Sequence, residues 1–172
     1  MLNSLLKPFL DRWRLTALLS SALMLAIAHG FQTFGGYQPC TLCLRQREVY
    51  WFAAGFSALA MVAVRLPGGP KLRQASCWIL ALIFLVGCGI AVYHAGAEWK
   101  FWPGPTTCSG AGGSVTSADM DALLNGAKIR PPACDQAAWV FLGISMAGWN
   151  ALISLKLAIL SVLAAVKERA KR

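Results

Sequence analysis

Charge is scarce in this chain, and most of what it has is of one sign. Of 172 residues, 13% are charged, sixteen Lys and Arg against seven Asp and Glu, while 57% are hydrophobic. That shortage argues against a soluble fold, because a chain of this size cannot bury so much apolar surface in one core. The length suits a single domain, and no repeat of fixed period divides it. The chain also lacks a second C-x-x-C beside Cys40-x-x-Cys43, so a paired zinc knuckle is not encoded and no metal is expected. The formal charge of +9 is explained by topology, and no nucleic-acid partner is expected.

What the chain does have is long apolar blocks, as bilayer-spanning helices require. Four spans are predicted, at about 15–34, 44–64, 75–95 and 137–160, the last run continuing toward Val166. The second reaches full length only if its helix starts around Leu44, which sets Arg45 and Arg47 at headgroup level. Lys156 interrupts the fourth run and can snorkel to the nearer surface, so the helix is expected to continue through it. Ala26-Ile27-Ala28 resembles a signal-peptide cleavage site, but the apolar run continues past it and span one is expected to stay.

The basic residues orient these spans. Lys7, Arg12 and Arg14 precede span one; Arg65, Lys71 and Arg73 join spans two and three; Lys167, Arg169, Lys171 and Arg172 follow span four. The positive-inside rule makes that side cytoplasmic, with both termini inside. Two loops then face outward, about 35–43 and 96–136. The longer one carries three basic and four acidic residues and so no competing positive signal. It opens on Trp99, Phe101 and Trp102, which suit a membrane interface. Thr116-Ser117-Ala118-Asp119 is placed to cap a short helix bearing Met120, Leu123 and Leu124.

Four of the six cysteines fall on this outer face. Cys40 and Cys43 open span two, where a helix N-terminus favours thiolate. Arg47 lies one turn beyond Cys43 and would stabilise a thiolate or an anionic partner there. Cys108 and Cys134 bracket a loop rich in Gly and Pro. By residue type alone, redox chemistry, static disulfide staples and a metal site all remain open, with two dithiols on one oxidising face favouring exchange between them. His94, level with Arg47 at the outer end of span three, could with it hydrogen-bond the carbonyl oxygens of a quinone, or be an ordinary interfacial histidine. His29 and Gln32 are expected to face the bundle interior, with a helix-to-helix hydrogen bond. Cys77 and Cys88 read as small buried apolar residues. Tyr93, Trp51, Phe52 and Trp139 read as packing or interface residues.

Pro39-Cys40-Thr41-Leu42-Cys43-Leu44-Arg45-Gln46-Arg47 resembles the signature of the DsbB disulfide-bond formation family. The stretch from Cys134-Asp135-Gln136 through Trp139 and Gly143 to Met146, with Trp149 beyond, is similar to a second block of that family. The resemblance implies an all-α four-transmembrane-helix bundle in the bacterial inner membrane, both termini cytoplasmic, with a long periplasmic loop between helices 3 and 4. It implies a thiol:quinone oxidoreductase that reoxidises a periplasmic thioredoxin-like DsbA-type protein and reduces ubiquinone or menaquinone. On the same grounds Cys108 would take the partner's thiolate, Cys134 would pair with Cys108 at rest and exchange with Cys40, and Cys43 would face the quinone beside Arg47 and His94. One departure stands out: Gln46 occupies a position where well-studied members carry an acid. A non-catalytic, disulfide-stapled membrane scaffold is the alternative, and a reversed relative resembling vitamin K epoxide reductase fits less well because its C-x-x-C usually lies in the last span.

Overall fold

A computed structural model describes residues 8–66, 69–105, 124–125 and 134–170. Four long helices account for most of them: α1 Trp13–Thr33, α2 Thr41–Ala63, α3 Gly69–Glu98 and α4 Met146–Ala170. Three, α1, α3 from Leu72, and α4, are long and apolar enough to cross a bilayer. α2 matches them in length at 23 residues, but Arg45, Arg47 and Glu48 in its first two turns dilute its apolar character. The chain is thus a mostly helical membrane protein.

Small residues let the helices approach. α4 buries Ala147, Ala151, Ser154, Ala158, Ser161 and Ala165 at three- and four-residue steps, and α1 buries Ala17 and Ser21 on one side. In lipid, where apolar burial gives no net drive between helices, such close backbone approach supplies the packing energy. α3 packs most extensively on α4, and α2 on α1 and α3. Trp13, Tyr50, Cys77, Leu80, Phe84 and Leu157 fill the space between them. Meanwhile Trp51, Phe52, Leu82 and Leu152 remain exposed on the outer surface, as lipid-facing positions should.

At the end opposite Cys40, polar contacts tie the helices together. The Trp13 indole donates to Ser161 Oγ at 3.0 Å, Lys167 pairs with Asp11 at 3.0 Å, and Arg14 reaches the Arg73 carbonyl at 3.3 Å. Lys156 is exposed and α4 runs through it without a break, as expected. Cys77 is fully buried and Cys88 partly so.

The fourth span begins differently from its sequence-based reading. Residues predicted to start a helix near Ala137 instead form a two-stranded antiparallel hairpin, β1 Val140–Phe141 against β2 Ile144–Ser145. Leu142 and Gly143 turn it with φ of 52° and 75°, left-handed values that Gly143 adopts at little cost. The helix begins only at Met146. An apolar run of this length reads alike as strand or helix, so its pattern alone did not separate them. α3 in turn extends past the predicted Ala95 to Glu98.

Beyond α3, Trp102 folds back over Gly96. Its indole donates to the Tyr93 carbonyl at 2.8 Å and stacks on the Tyr93 ring at 12°. A β-carbon at Gly96 would collide with the Trp102 ring. Gly96→Val should therefore displace the indole and cost about 1–3 kcal/mol. A lowered melting temperature with a red-shifted tryptophan emission would register it; unchanged emission would contradict the packing.

Candidate functional site

Pro39 ends the α1–α2 connection, and Cys40 then caps α2. Its backbone is extended, and its sulfur accepts from the Cys43 N–H at 3.2 Å, filling one of the donors a helix start leaves open. The cap folds the two thiols onto each other, Sγ to Sγ at 2.8 Å. Both are free thiols. The hydrogen bond to Cys43, together with burial, pushes the Cys40 thiol well up, whereas the same bond lowers Cys43, helped by the Arg47 charge. Cys40 thus holds its proton more tightly than Cys43 does, which is the asymmetry a thiolate-driven exchange needs.

His94 closes over this pair. It is 3% exposed, with Nε2 3.6 Å from Cys40 Sγ and 3.7 Å from Glu98 Oε1. Cys40, Cys43 and His94 are grouped closely enough to hold a metal ion. Two thiolates on tetrahedral zinc, however, sit about 3.8 Å apart given bonds of about 2.3 Å. The contact between these sulfurs is an ångström shorter and suits a pair that closes to a disulfide.

The other face of His94 is held by a chain of side chains through the bundle. The Gln46 amide N–H donates to His94 Nδ1 at 2.8 Å, and Gln46 Oε1 accepts from Asn150 Nδ2 at 2.5 Å. Asn150 Oδ1 accepts from the Tyr50 hydroxyl at 2.5 Å, and Ser154 lies 2.9 Å behind it. Each donor fixes the next acceptor. With the Gln46 amide turned this way, Nδ1 is the accepting nitrogen and the imidazole proton sits on Nε2. His94 thus presents a fixed N–H donor toward Cys40 and Glu98.

A cavity of about 360 Å³ opens beside the thiols, lined among others by Cys40, Cys43, Arg47, His94, Glu98 and Trp139. Most of the rest of its wall is apolar, contributed by α1, α4 and the hairpin. Arg47 is anchored to α1 by bonds to Gln32 Oε1 at 2.6 Å and the Ala28 carbonyl at 3.1 Å. The predicted helix-to-helix bond of Gln32 is therefore present, while His29 points outward and is exposed. Trp139, expected only to pack, lines the cavity, stacked on Phe141 at 12° and edge-on to Phe31 at 64°.

Cys134 is fully buried and disulfide-bonded. It packs in one cluster with Cys40 and Leu42, against which Cys43 also rests. Next to it, Asp135 pairs with Lys100 at 2.5 Å, and that cation holds the exposed carboxyl below its usual range. Cys108 and the predicted short helix at 116–124 lie outside the described residues, apart from Leu124.

The site thus brings together Cys40, Cys43, Cys134, Arg47 and His94, each singled out from the sequence. Gln46, Asn150, Glu98 and Trp139 were not singled out as site residues. Gln46 and Glu98 did carry a signal: each is a polar residue at the edge of an apolar run.

Comparison with known proteins bears on what the site does. The family described as "Disulfide bond formation protein DsbB" matches residues 11–164 of this chain. "Disulfide bond formation protein B 2" of Pseudomonas syringae pv. syringae is 31% identical over 147 residues, 84% of this chain and 81% of its own. "Disulfide bond formation protein B" of Xanthomonas campestris pv. campestris is 29% identical over 178 aligned residues, 97% of this chain and 98% of its own. The protein of the same name from Pasteurella multocida is 28% identical over 138 residues, 79% of this chain and 75% of its own.

Proposed function

Because the chain belongs to the DsbB disulfide bond formation family and is thus a disulfide-generating membrane thiol oxidoreductase, we propose that it carries electrons from a periplasmic DsbA-like dithiol protein to a membrane quinone. The observation that carries this reading is the cavity beside Cys43, where a thiol pair, a fixed His94 N–H and the Arg47 guanidinium converge. A quinone headgroup fits that donor set: it is flat, it is apolar on its faces, and its two carbonyl oxygens accept hydrogen bonds. Arg47 has spare N–H groups beyond its two bonds to α1, and Trp139 offers an aromatic wall. Bound there, ubiquinone or menaquinone would accept two electrons and two protons.

The residues divide the work. The partner's thiolate attacks Cys108 in a Cys108–Cys134 disulfide, forming a mixed disulfide and releasing Cys134. The described free cysteines are Cys40, Cys43, Cys77 and Cys88, and Cys134 is bonded, which supports Cys108 as its mate. Released Cys134 lies against Cys40, so exchange with a Cys40–Cys43 disulfide needs little movement. Cys43 leaves as the thiolate, stabilised by Arg47. The partner's second thiol displaces Cys108, whose thiolate attacks Cys134, restoring Cys108–Cys134 and releasing Cys40 as a thiol. With Cys40 and Cys43 both reduced, reformation of their bond would deliver the electron pair at the cavity.

Topology follows the same logic. With the helices alternating in direction, the ends that carry Arg12, Arg14, Arg65, Arg73, Lys167 and Arg169 share the side away from Cys40. The positive-inside rule makes that side cytoplasmic and sets the thiols in the periplasm of a four-span inner-membrane protein.

Mixing the purified protein with a reduced thioredoxin-like dithiol protein and ubiquinone-1 tests the proposal. One quinone should be consumed for each partner disulfide formed. A stapled scaffold, the reading favoured if Cys134 never leaves its disulfide, would consume none.

A further inference from the structure

Among the described residues, Glu98 is the one acidic side chain in the cavity wall, and its surroundings are unlike those of a structural carboxylate. The side chain is 5% exposed. Ser145, on the hairpin, hydrogen-bonds it; that hydroxyl also accepts from the Gly148 N–H at 3.1 Å, so its own proton is free to point at the carboxyl. Oε2 is buried with no hydrogen-bond partner. A buried carboxylate kept only for packing normally has both oxygens satisfied, because an ionised oxygen left bare in such a place is costly. A carboxyl that spends part of its cycle protonated avoids that cost.

The charged and titratable neighbours agree. On its own helix Glu98 faces His94, whose proton is locked on Nε2 by Gln46 and points toward Oε1. From the start of α2 it faces the thiol pair, and its charge acts on Cys43 against that of Arg47. Lys100, two residues on, is engaged by Asp135. Among the described residues, neither lysine nor arginine forms a salt bridge with Glu98. His94, with one nitrogen occupied by an amide donor, cannot relay a proton without breaking that bond. The group at the thiols free to gain and lose one is Glu98.

We propose that Glu98 is the acid–base group of the dithiol cavity, supplying and then recovering one of the two protons that accompany the electron pair leaving Cys40 and Cys43. Before the step, Cys40 is a thiol, Cys43 a thiolate and Glu98 a neutral acid. The Cys40–Cys43 bond forms, and two electrons pass to the quinone. One proton comes from the Cys40 thiol and one from Glu98. The acceptor leaves as quinol with both, and Glu98 is left as carboxylate, so the net charge of −1 is the same on each side. Ser145 and the His94 N–H stabilise that carboxylate until it takes a proton from the aqueous side. This inference rests on the quinone reading, but its first test does not need a quinone.

In the reduced protein without quinone, the alkylation rate of Cys43 should rise with pH in two steps, because ionised Glu98 opposes the Cys43 thiolate. Glu98→Gln, nearly the same shape, should give one step at a lower midpoint, while Glu98→Asp keeps two. With quinone, Glu98→Gln should lose ~100-fold in kcat, the scale of general acid catalysis, with KM for the dithiol partner within about twofold. The wild-type rate should fall at alkaline pH as Glu98 ionises, and Glu98→Gln should lack that fall. If Glu98→Gln alkylates like wild type, or turns over within twofold of it with the same pH profile, the proposal is overturned. If the wild type consumes no quinone but its alkylation is biphasic and that of Glu98→Gln is not, the quinone reading fails while the Glu98–Cys43 coupling stands.

Discussion

Cys43→Ser should abolish quinone-linked turnover, by more than ~10³-fold, the scale seen when the nucleophile of a covalent sequence is removed. The expectation comes from the asymmetry at the start of α2. Cys43 lines the cavity and is the thiol whose proton is loosened by Cys40 and Arg47; Cys40 caps the helix and holds its proton. Serine preserves the size of the side chain but cannot close a disulfide. Because the cap is made by Cys40 Sγ to the backbone of residue 43, the helix start survives the change. The variant should therefore fold, keep the disulfide of Cys134, and accept one electron pair from the partner without passing it on. A burst of about one partner oxidised per protein, followed by no turnover, is the expected trace. Steady turnover would mean that another sulfur reaches the quinone.

The second large effect is expected at Cys134. Cys134→Ala, with its Cys40–Cys43 disulfide intact, should accumulate a mixed disulfide between Cys108 and a partner reduced to one active cysteine, visible as a single band that collapses on reduction. The Cys108 thiolate exchanges into the Cys40–Cys43 bond and releases Cys43; the partner's thiolate then attacks Cys108 and releases Cys40, and with Cys134 and the partner's second thiol both gone nothing at Cys108 displaces the partner. Removing the bridge should also cost about 2–5 kcal/mol, so the melting temperature should fall. Loss of stability without a trapped complex would support the stapled scaffold. A Cys108→Ala, Cys134→Ala double variant separates the two, since it has the same stability loss and nothing with which to trap.

The features that the sequence made legible are local ones. Four apolar runs gave four helices, and the three-residue spacing of Cys40 and Cys43 gave a thiol pair at a helix start. Gln32 was rightly expected to bond across helices, while His29, three residues earlier on the same helix, faces outward. Three residues leave a net turn of only about 60°, enough to put Gln32 on the α1–α2 seam and His29 just past its edge, and a run that is apolar on all sides does not say where that edge falls. The hairpin at 140–145 was hidden for a related reason: Val, Phe, Leu and Ile serve a strand as well as a helix, and the left-handed turn at Leu142 and Gly143 decides between them.

What the sequence could not disclose is the wiring of His94. Gln46, Asn150 and Tyr50 come from two helices separated by about a hundred residues in the chain, and their order depends on how α2, α3 and α4 pack. Gln46 looked like a missing acid. In the folded protein it is the group that fixes the imidazole tautomer, and the carboxyl lies on the opposite side of the ring, at Glu98. Trp139 was passed over because an aromatic near a membrane surface has an ordinary explanation; only the hairpin turns it into cavity wall.

Of the outer-face thiols, the Cys40–Cys43 pair alone should hand electrons to the quinone. A single turnover of fully reduced protein with one equivalent of ubiquinone-1, followed by rapid alkylation and mapping of disulfides by mass spectrometry at the earliest times, puts this to the test. Cys40–Cys43 should close first, one bond per quinone consumed, with the Cys134 disulfide appearing only later by exchange. If the Cys134 disulfide forms first, or if quinone is consumed while Cys40 and Cys43 both remain alkylatable, the assignment of the cavity is contradicted.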